Sequence, residues 1–583
     1  MRKLYSDGSW LDAPVFSIDK LVHGHTVFGP AIITEPTGTV IVEKNWTARL
    51  NKYRHLILER KPAEDTNIEN LTKYDPVRLE IFNNLFMSIA EQMGLVLQNT
   101  SQSVNVKERL DFSCAVFDPQ GNLIANAPHV PVHLGSMDAT VKVIIDGGLS
   151  INPGDVFVQN NPYNGGSHLP DITVISPVFD QTEQNVLFYV ASRAHHEDVG
   201  GIAPGSMSPL GRTIYEEGVV LDGLKLVDRG IFQTQAIHDA FSSGQYPARN
   251  IDQNIADLMA QTAANSAGAA ELHKLVKQYG LETVHAYMGY IQDSAEEAVR
   301  SVIATLDDTS FEYEIDSGAV IKLNITVDKK ARTAVLNFIG TSKQQPTNFN
   351  APGAITRAAV LYVFRCLVDK DIPLNAGCMK PLEIIVPKGS MLNPEFPAAV
   401  VAGNVETSQA VTNTLFAALG ALGTSQGTMN NLTFGNEKYQ YYETICSGSP
   451  AGNGFNGVAA VHTHMTNTRL TDPEIMEQRY PIMLEEFVID RNSGGKGQWN
   501  AGDGITRRIR FLEEMECSIL SDHRKGAPMG VKGGHEGRLG RNWITRKSGS
   551  VEDLGGCGQT HVYPGDSVTV QSPTGGGYGK PQG

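Results

Sequence analysis

Histidines and carboxylates concentrate between residues 159 and 198. The stretch Asn160-Asn161-Pro162-Tyr163-Asn164-Gly165-Gly166-Ser167-His168-Leu169-Pro170-Asp171 precedes a largely apolar run, 172–178. A second run, 186–191, leads into Ser192-Arg193-Ala194-His195-His196-Glu197-Asp198. Polar residues 180–185 join the runs, a length suited to a hairpin loop. Antiparallel pairing would set the start of the first strand beside the end of the second. His168 and Asp171 would then face His195 and His196 at one end of a sheet. Two imidazoles and a carboxylate on one rim can hold a divalent metal with positions left open for water; zinc, manganese and iron all suit such mixed donors. The competing reading is a polar loop of hydrogen-bonded histidines, because no spacing here is a recognised zinc motif. Asn160, Asn161 and Asn164 with two glycines are also ordinary turn residues.

Three further clusters carry polar chemistry. Arg109-Leu110-Asp111 lies near His129-Val130-Pro131-Val132-His133; its charged pair could orient a substrate, or form a structural ion pair beside a core histidine. Gly403-Asn404-Val405-Glu406-Thr407-Ser408 opens a helical stretch, so free backbone N–H groups could meet an anion, or the segment is a plain N-cap. His462-Thr463-His464-Met465-Thr466-Asn467-Thr468-Arg469 reads as too polar for a core. Two nucleotide or nucleophile signatures fail. Gly575-Gly576-Gly577-Tyr578-Gly579-Lys580 resembles a phosphate loop, but Pro581 stands where Ser or Thr is required and no helix follows. Gly448-Ser449-Pro450-Ala451-Gly452 lacks the strand-to-helix setting of a hydrolase elbow.

The elements that must position these groups read as an α+β protein, a large mixed core with a small β-rich appendage in front. Residues 1–62 are short strands and turns, 63–74 a polar linker, and 75–583 the main domain. Asp75-Pro76 makes a helix start, and Leu79, Phe82, Leu85, Phe86, Ile89 and Met93 give that helix a buried face. Residues 112–118 and 123–127 read as a hairpin, 251–279 and 281–306 as two long helices separated by Gly280, and 321–327 with 333–338 as another hairpin.

With 583 residues, 41% of them hydrophobic, the chain can bury several cores. Its 48 basic and 63 acidic residues give a net charge of −15. No basic block is present, which argues against nucleic acid or an anionic membrane as partner. No apolar run approaches the ~18 residues of a membrane span. The opening residues lack an apolar signal core, and six scattered cysteines form no CxxC pair. A cytoplasmic location is expected.

At these residues the chain resembles the hydantoinase B/oxoprolinase family, from about residue 73 onward. Carrying the resemblance are Lys107-Glu108-Arg109-Leu110-Asp111-Phe112-Ser113-Cys114, Pro131–Met137, Gly166–Asp171, Tyr189–Arg193, His464–Arg469 with Asp472–Ile475, and Gly575–Gly579. Residues 1–62 instead resemble the tail of a hydantoinase A-like half, through Asp7-Gly8-Ser9-Trp10 and Gly29-Pro30-Ala31-Ile32-Ile33-Thr34-Glu35.

The resemblance implies an ATP-dependent opening of a cyclic amide, of the kind that converts 5-oxo-L-proline to L-glutamate. In this family the A-type half holds ATP with magnesium, so the chain is expected to be a ring-opening half that works with an A-like half or subunit in a larger oligomer. A truncated product or inactive assembly module is the non-enzyme alternative, and a hydantoinase or ketone carboxylase B-type subunit the alternative enzyme. The resemblance also implies that His168, Asp171 and His195 hold a divalent metal. His196 or Asp198 would then take a proton from water, and Arg193 or Arg109, with Asp111 beside it, would hold a substrate carboxylate.

Overall fold

The computed structural model describes residues 1–6, 8–60, 71–369 and 372–581, and its fold is α+β, as expected. The expected linker at 63–74 falls mostly outside the described residues. The chain forms two units, Met1–Lys73 and Tyr74–Gly583. The first is built of short strands. Val15–Ser17 pairs parallel with Ala31–Thr34, which pairs antiparallel with Thr39–Val42. Thr26–Phe28, Trp46–Leu50 and Leu56–Arg60 form another antiparallel sheet. Val27, Ala31, Ile33, Val42 and Leu50 are its small core.

In the second unit, helix α1 (Pro76–Thr100) begins where the Asp75 side chain accepts from the backbone N–H groups of Val77 and Arg78. Its three-to-four spacing buries Leu79, Phe82, Phe86, Ile89 and Met93, whereas Leu85 is half-buried. Seven antiparallel strands form the central sheet: β1 (Phe112–Phe117), β2 (Leu123–Asn126), β3 (Val156–Gln159), β4 (Asp171–Phe179), β5 (Val186–His195), β6 (Leu224–Asp228) and β7 (Ile231–Phe232). Their spatial order is β2-β1-β5-β4-β3-β6-β7.

Strand period divides the faces. Cys114, Val116, Val190 and Ala194 join α1 in a core with Leu272, from α2 (Ile251–Tyr279), and Tyr287, from α3 (Leu281–Ile303). Ala115, Phe117, Tyr189 and Ala191 point the other way, onto the helix Met137–Asp146. β1 and β5 are therefore buried on both sides.

Further along, the strands Thr309–Glu314, Val320–Asp328, Thr333–Asn337 and Leu382–Ile385 form one sheet. Its core is shared with the helices Gly353–Leu367 and Ser408–Ala418. The C-terminal region pairs a four-stranded with a five-stranded sheet, and Phe434, Tyr441 and Ile519 from one meet Ile509, Phe511 and Val568 from the other. The glycine-rich tail packs backbone against backbone: Gly495 N donates to Gly575 O and Gly577 N to His535 O. No described helix is long and apolar enough to cross a membrane.

Candidate metal centre

The β4–β5 hairpin pairs antiparallel as expected, and its register sets Asp171 directly opposite His195, the last residue of β5. Asp171 is the first residue of β4. The loop before it is pinned by Asn160, whose Nδ2 donates to Leu169 O and Val219 O. His168 sits three residues ahead of Asp171, at the turn closed by Asp171 N donating to His168 O. Three side chains converge as a result. His168 Nδ1 lies 3.0 Å from Asp171 Oδ2, and His195 Nδ1 lies 3.4 Å from Asp171 Oδ1. One donor atom from each residue lies within 4.8 Å of the others.

All three are buried, yet His168 Nδ1 and Nε2, Asp171 Oδ1 and His195 Nε2 have no aligned hydrogen-bond partner. Buried polar atoms without partners are costly, on the order of 1–3 kcal/mol each, and a cation held by one donor atom from each residue would satisfy part of this set. Burial lowers the pKa of His195, which keeps its imidazole neutral as a ligand must be. Burial alone would raise the Asp171 carboxyl, but His133 and His168 outweigh it and hold it well below the usual range. The donor set of two nitrogens and a carboxylate therefore fits a divalent ion.

Around the triad are residues that the sequence did not connect with it. His133, read as a core histidine, places Nε2 3.1 Å from Asp171 Oδ1. Asn404 Nδ2 donates to Asp171 Oδ2 at 3.3 Å, and Ser167 Oγ donates to the same oxygen at 2.9 Å. The Tyr442 ring stacks on His195 with centroids 4.5 Å apart. Asn404 arrives on a π-helical turn, Gly403–Thr407, that runs straight into the helix Ser408–Ala418. This corrects the expected free helix start: the turn is buried and wound into a longer helix. A Cβ at Gly403 would lie 2.1 Å from Asn350 O, so glycine is what allows the close approach.

The segment read as too polar for a core is another correction. Met465, Thr466, Thr468 and His464 are all buried, because the hydroxyls pair with one another and with Arg109. Met465 and Thr466 line a cavity beside the triad, together with Asp111, His133, Asn404 and Tyr442. Its volume is about 10 Å³, room for about one water.

The other expected site residues are held elsewhere or held fast. His196 lies on the opposite face of β5's end, its Nε2 3.1 Å from Gln261 Oε1 and its Nδ1 3.0 Å from Asn254 Nδ2, both on α2. Asp198 accepts from Gly200 N, Gly205 N and the Arg249 guanidinium, which fixes a loop. Arg193 is fully buried and donates to Thr173, Ser136 and Thr140 hydroxyls. Arg109 is also buried, donating to Asn105 Oδ1, Tyr442 O, Thr444 Oγ1 and Thr468 Oγ1. Neither guanidinium presents a free fork to a ligand. Asp111 lies at the cavity wall, 3.8 Å from Arg109 and 3.9 Å from His133.

A family model described as hydantoinase B/oxoprolinase matches residues 75–581. The chain belongs to the hydantoinase B/oxoprolinase family. A second model, the hydantoinase/oxoprolinase C-terminal domain, matches residues 1–61. Among curated relatives, 5-oxoprolinase 1 of Arabidopsis thaliana is 47% identical over 99% of this chain and 47% of its own length. The 5-oxoprolinase of Dictyostelium discoideum is 44% identical over 98% of this chain and 45% of its own. The chain thus spans about half the length of these relatives. Among solved structures, the ATP-dependent caprolactamase from Pseudomonas jessenii shares the fold with a TM-score of 0.77 at 23% identity, covering 87% of this chain and 92% of that one.

Proposed function

We propose that this chain is the ring-opening half of an ATP-dependent cyclic amide hydrolase that converts 5-oxo-L-proline to L-glutamate. A hydantoinase A-like half or subunit supplies the ATP–magnesium site and assembles with this chain into a larger oligomer. The buried convergence of His168, Asp171 and His195 is the observation that carries the reading. Family membership and the 5-oxoprolinase relatives support the substrate class. Free cysteines suit a reducing compartment such as the cytosol.

The chemistry explains why ATP is needed. A five-membered lactam is a resonance-stabilised amide that closes easily, so plain hydrolysis lacks driving force. Phosphorylation of the amide oxygen makes the ring carbon electrophilic; water adds there, the C–N bond breaks as the nitrogen takes a proton, and a second water hydrolyses the resulting acyl phosphate to carboxylate and phosphate. Lactam, ATP and two waters become glutamate, ADP and phosphate.

His168, Asp171 and His195 would hold a divalent metal, which when bound polarises an oxygen and lowers the pKa of water. The chain's other residues set up that site. His133, Asn404 and Ser167 orient the Asp171 carboxylate. Tyr442, itself held by Arg109 beneath its ring and at its carbonyl, fixes the plane of His195. The narrow cavity excludes bulk water, which strengthens every electrostatic contact inside it. His196, Asp198, Arg193 and Arg109 act as the frame that holds these groups, through the contacts described above.

The test is glutamate release from 5-oxo-L-proline with ATP, magnesium and potassium, by the chain alone and mixed with a separately made A-type half. Activity is expected only in the mixture. His168→Ala should lose bound metal and activity while keeping its circular dichroism spectrum. Unchanged metal content in that variant, or no glutamate from a mixture whose A-type half binds ATP, would refute the proposal.

A further inference from the structure

A second cavity, of about 470 Å³, lies on the other side of the wall that bounds the metal centre. Two backbone stretches make that wall, and each sends residues to both of its faces. Leu110 and Phe112 line the larger pocket, while Asp111 between them lines the small cavity beside the triad. Asn467 and Arg469 line the pocket, while Met465 and Thr466 line the small cavity. The stretches are joined by Arg469 N donating to Arg109 O, and by Asn467 Nδ2 donating to His129 O. Leu110 reaches this position with a φ of +55°, a left-handed conformation that few non-glycine residues adopt. The opposite wall is a face of α1, which presents Glu91, Gly94, Leu95 and Gln98.

Two donors in this pocket have no hydrogen-bond partner among the described residues. The Arg469 guanidinium makes no hydrogen bond or ion pair among the described residues, although its backbone is anchored. His129 accepts the Cys114 N–H at Nδ1, so its neutral ring carries the proton on Nε2. Burial, with a smaller contribution from His133, keeps that ring neutral by lowering its pKa to about 4. Gly94 lets the ring reach the helix, since a Cβ there would lie 2.7 Å from Nε2. A guanidinium, a ring N–H and an apolar floor of Leu95, Leu110 and Phe112 match a small organic acid, and the volume lies in the range of small-molecule sites. Glu91 adds one negative charge to the rim, which favours a monoanion or a zwitterion over a dianion.

We propose that this pocket is a binding subsite for a small organic monocarboxylate, with Arg469 and His129 as its polar anchors. It lies across one backbone wall from the small cavity beside the triad. Under the lactam reading, which it deepens, the ligand is 5-oxo-L-proline.

Isothermal titration of the full chain tests it with three probes: 5-oxo-L-proline, N-acetylglycine and 2-pyrrolidinone, the lactam ring without its carboxylate. At least one carboxylate should bind, and Arg469→Gln should weaken it about 10–100-fold, the usual worth of a charge-assisted pair. Leu95→Trp, on an exposed helix position, should block the pocket, whereas His168→Ala should leave carboxylate binding intact. Equal affinity in Arg469→Gln, or no binding of either acid to the unmodified chain, overturns the subsite while leaving the lactam reading to its own assay of glutamate release. Arg469-dependent binding of N-acetylglycine without 5-oxo-L-proline upholds the subsite and counts against the lactam.

Discussion

Replacing His133 with phenylalanine should weaken metal binding about 10–100-fold without removing a ligand. This histidine lies between a hydroxyl and the ligand carboxylate. Ser113 Oγ accepts from Val130 N at 3.2 Å, lies 3.5 Å from Val130 O and contacts His133 Nδ1 at 3.3 Å. In the tautomer where Nδ1 accepts from that hydroxyl, the ring proton sits on Nε2, 3.1 Å from Asp171 Oδ1. The N–H faces Oδ1 without the alignment of a full hydrogen bond, and losing an outer partner of a metal ligand costs the usual 10–100-fold, about 1.4 kcal/mol per factor of ten. Phenylalanine keeps the ring's bulk in this packed site but removes the N–H. His133→Gln, which retains a donor, should recover part of the loss. The assay is competition between the full chain and a chelator of known affinity for zinc and manganese, with circular dichroism to check folding. Affinity within twofold of the unmodified chain would refute the orienting role. A loss as complete as that in His168→Ala would make His133 a ligand in its own right and break the three-residue assignment.

Two stability effects follow from other buried groups. Arg193→Met should cost about 3 kcal/mol or more, because three buried hydroxyls lose their shared donor; a denaturant midpoint unchanged from the parent would show that they re-pair freely. Burial pushes the Glu217 carboxyl from 4.5 up to about 8. Between those values the folded chain keeps a proton that the unfolded chain releases, so stability should rise as pH falls from about 8 toward 4.5, by up to about 1.4 kcal/mol per unit. Glu217→Gln should flatten that slope, and an identical slope in the variant would assign the effect to other groups.

The sequence revealed the hairpin that builds the centre because its signals are local: two apolar runs, a polar loop of hairpin length, and polar residues at matching ends. α1, the long helices and the paired strands were legible for the same reason, each having its own periodicity and stop. The His195-His196 pair shows where local reading needed one more step. Neighbours on a strand point to opposite faces, so only one histidine could join Asp171, and the register gives His195. His196 follows Ala194 onto the helix side, where α2 satisfies both its nitrogens. Asn404, 233 residues from Asp171 in the chain, had no local signal, since its approach depends on packing around a π turn. The two arginines mark a different limit. A guanidinium that binds a substrate and one that braces a core have the same one-letter code, and only the hydroxyls and carbonyls gathered around Arg109 and Arg193 separate the cases. Arg469 has the opposite surroundings, an anchored backbone and a guanidinium unengaged among the described residues. Among these three arginines, then, ligand recognition falls to the one outside the core, whose donors folding has not already consumed.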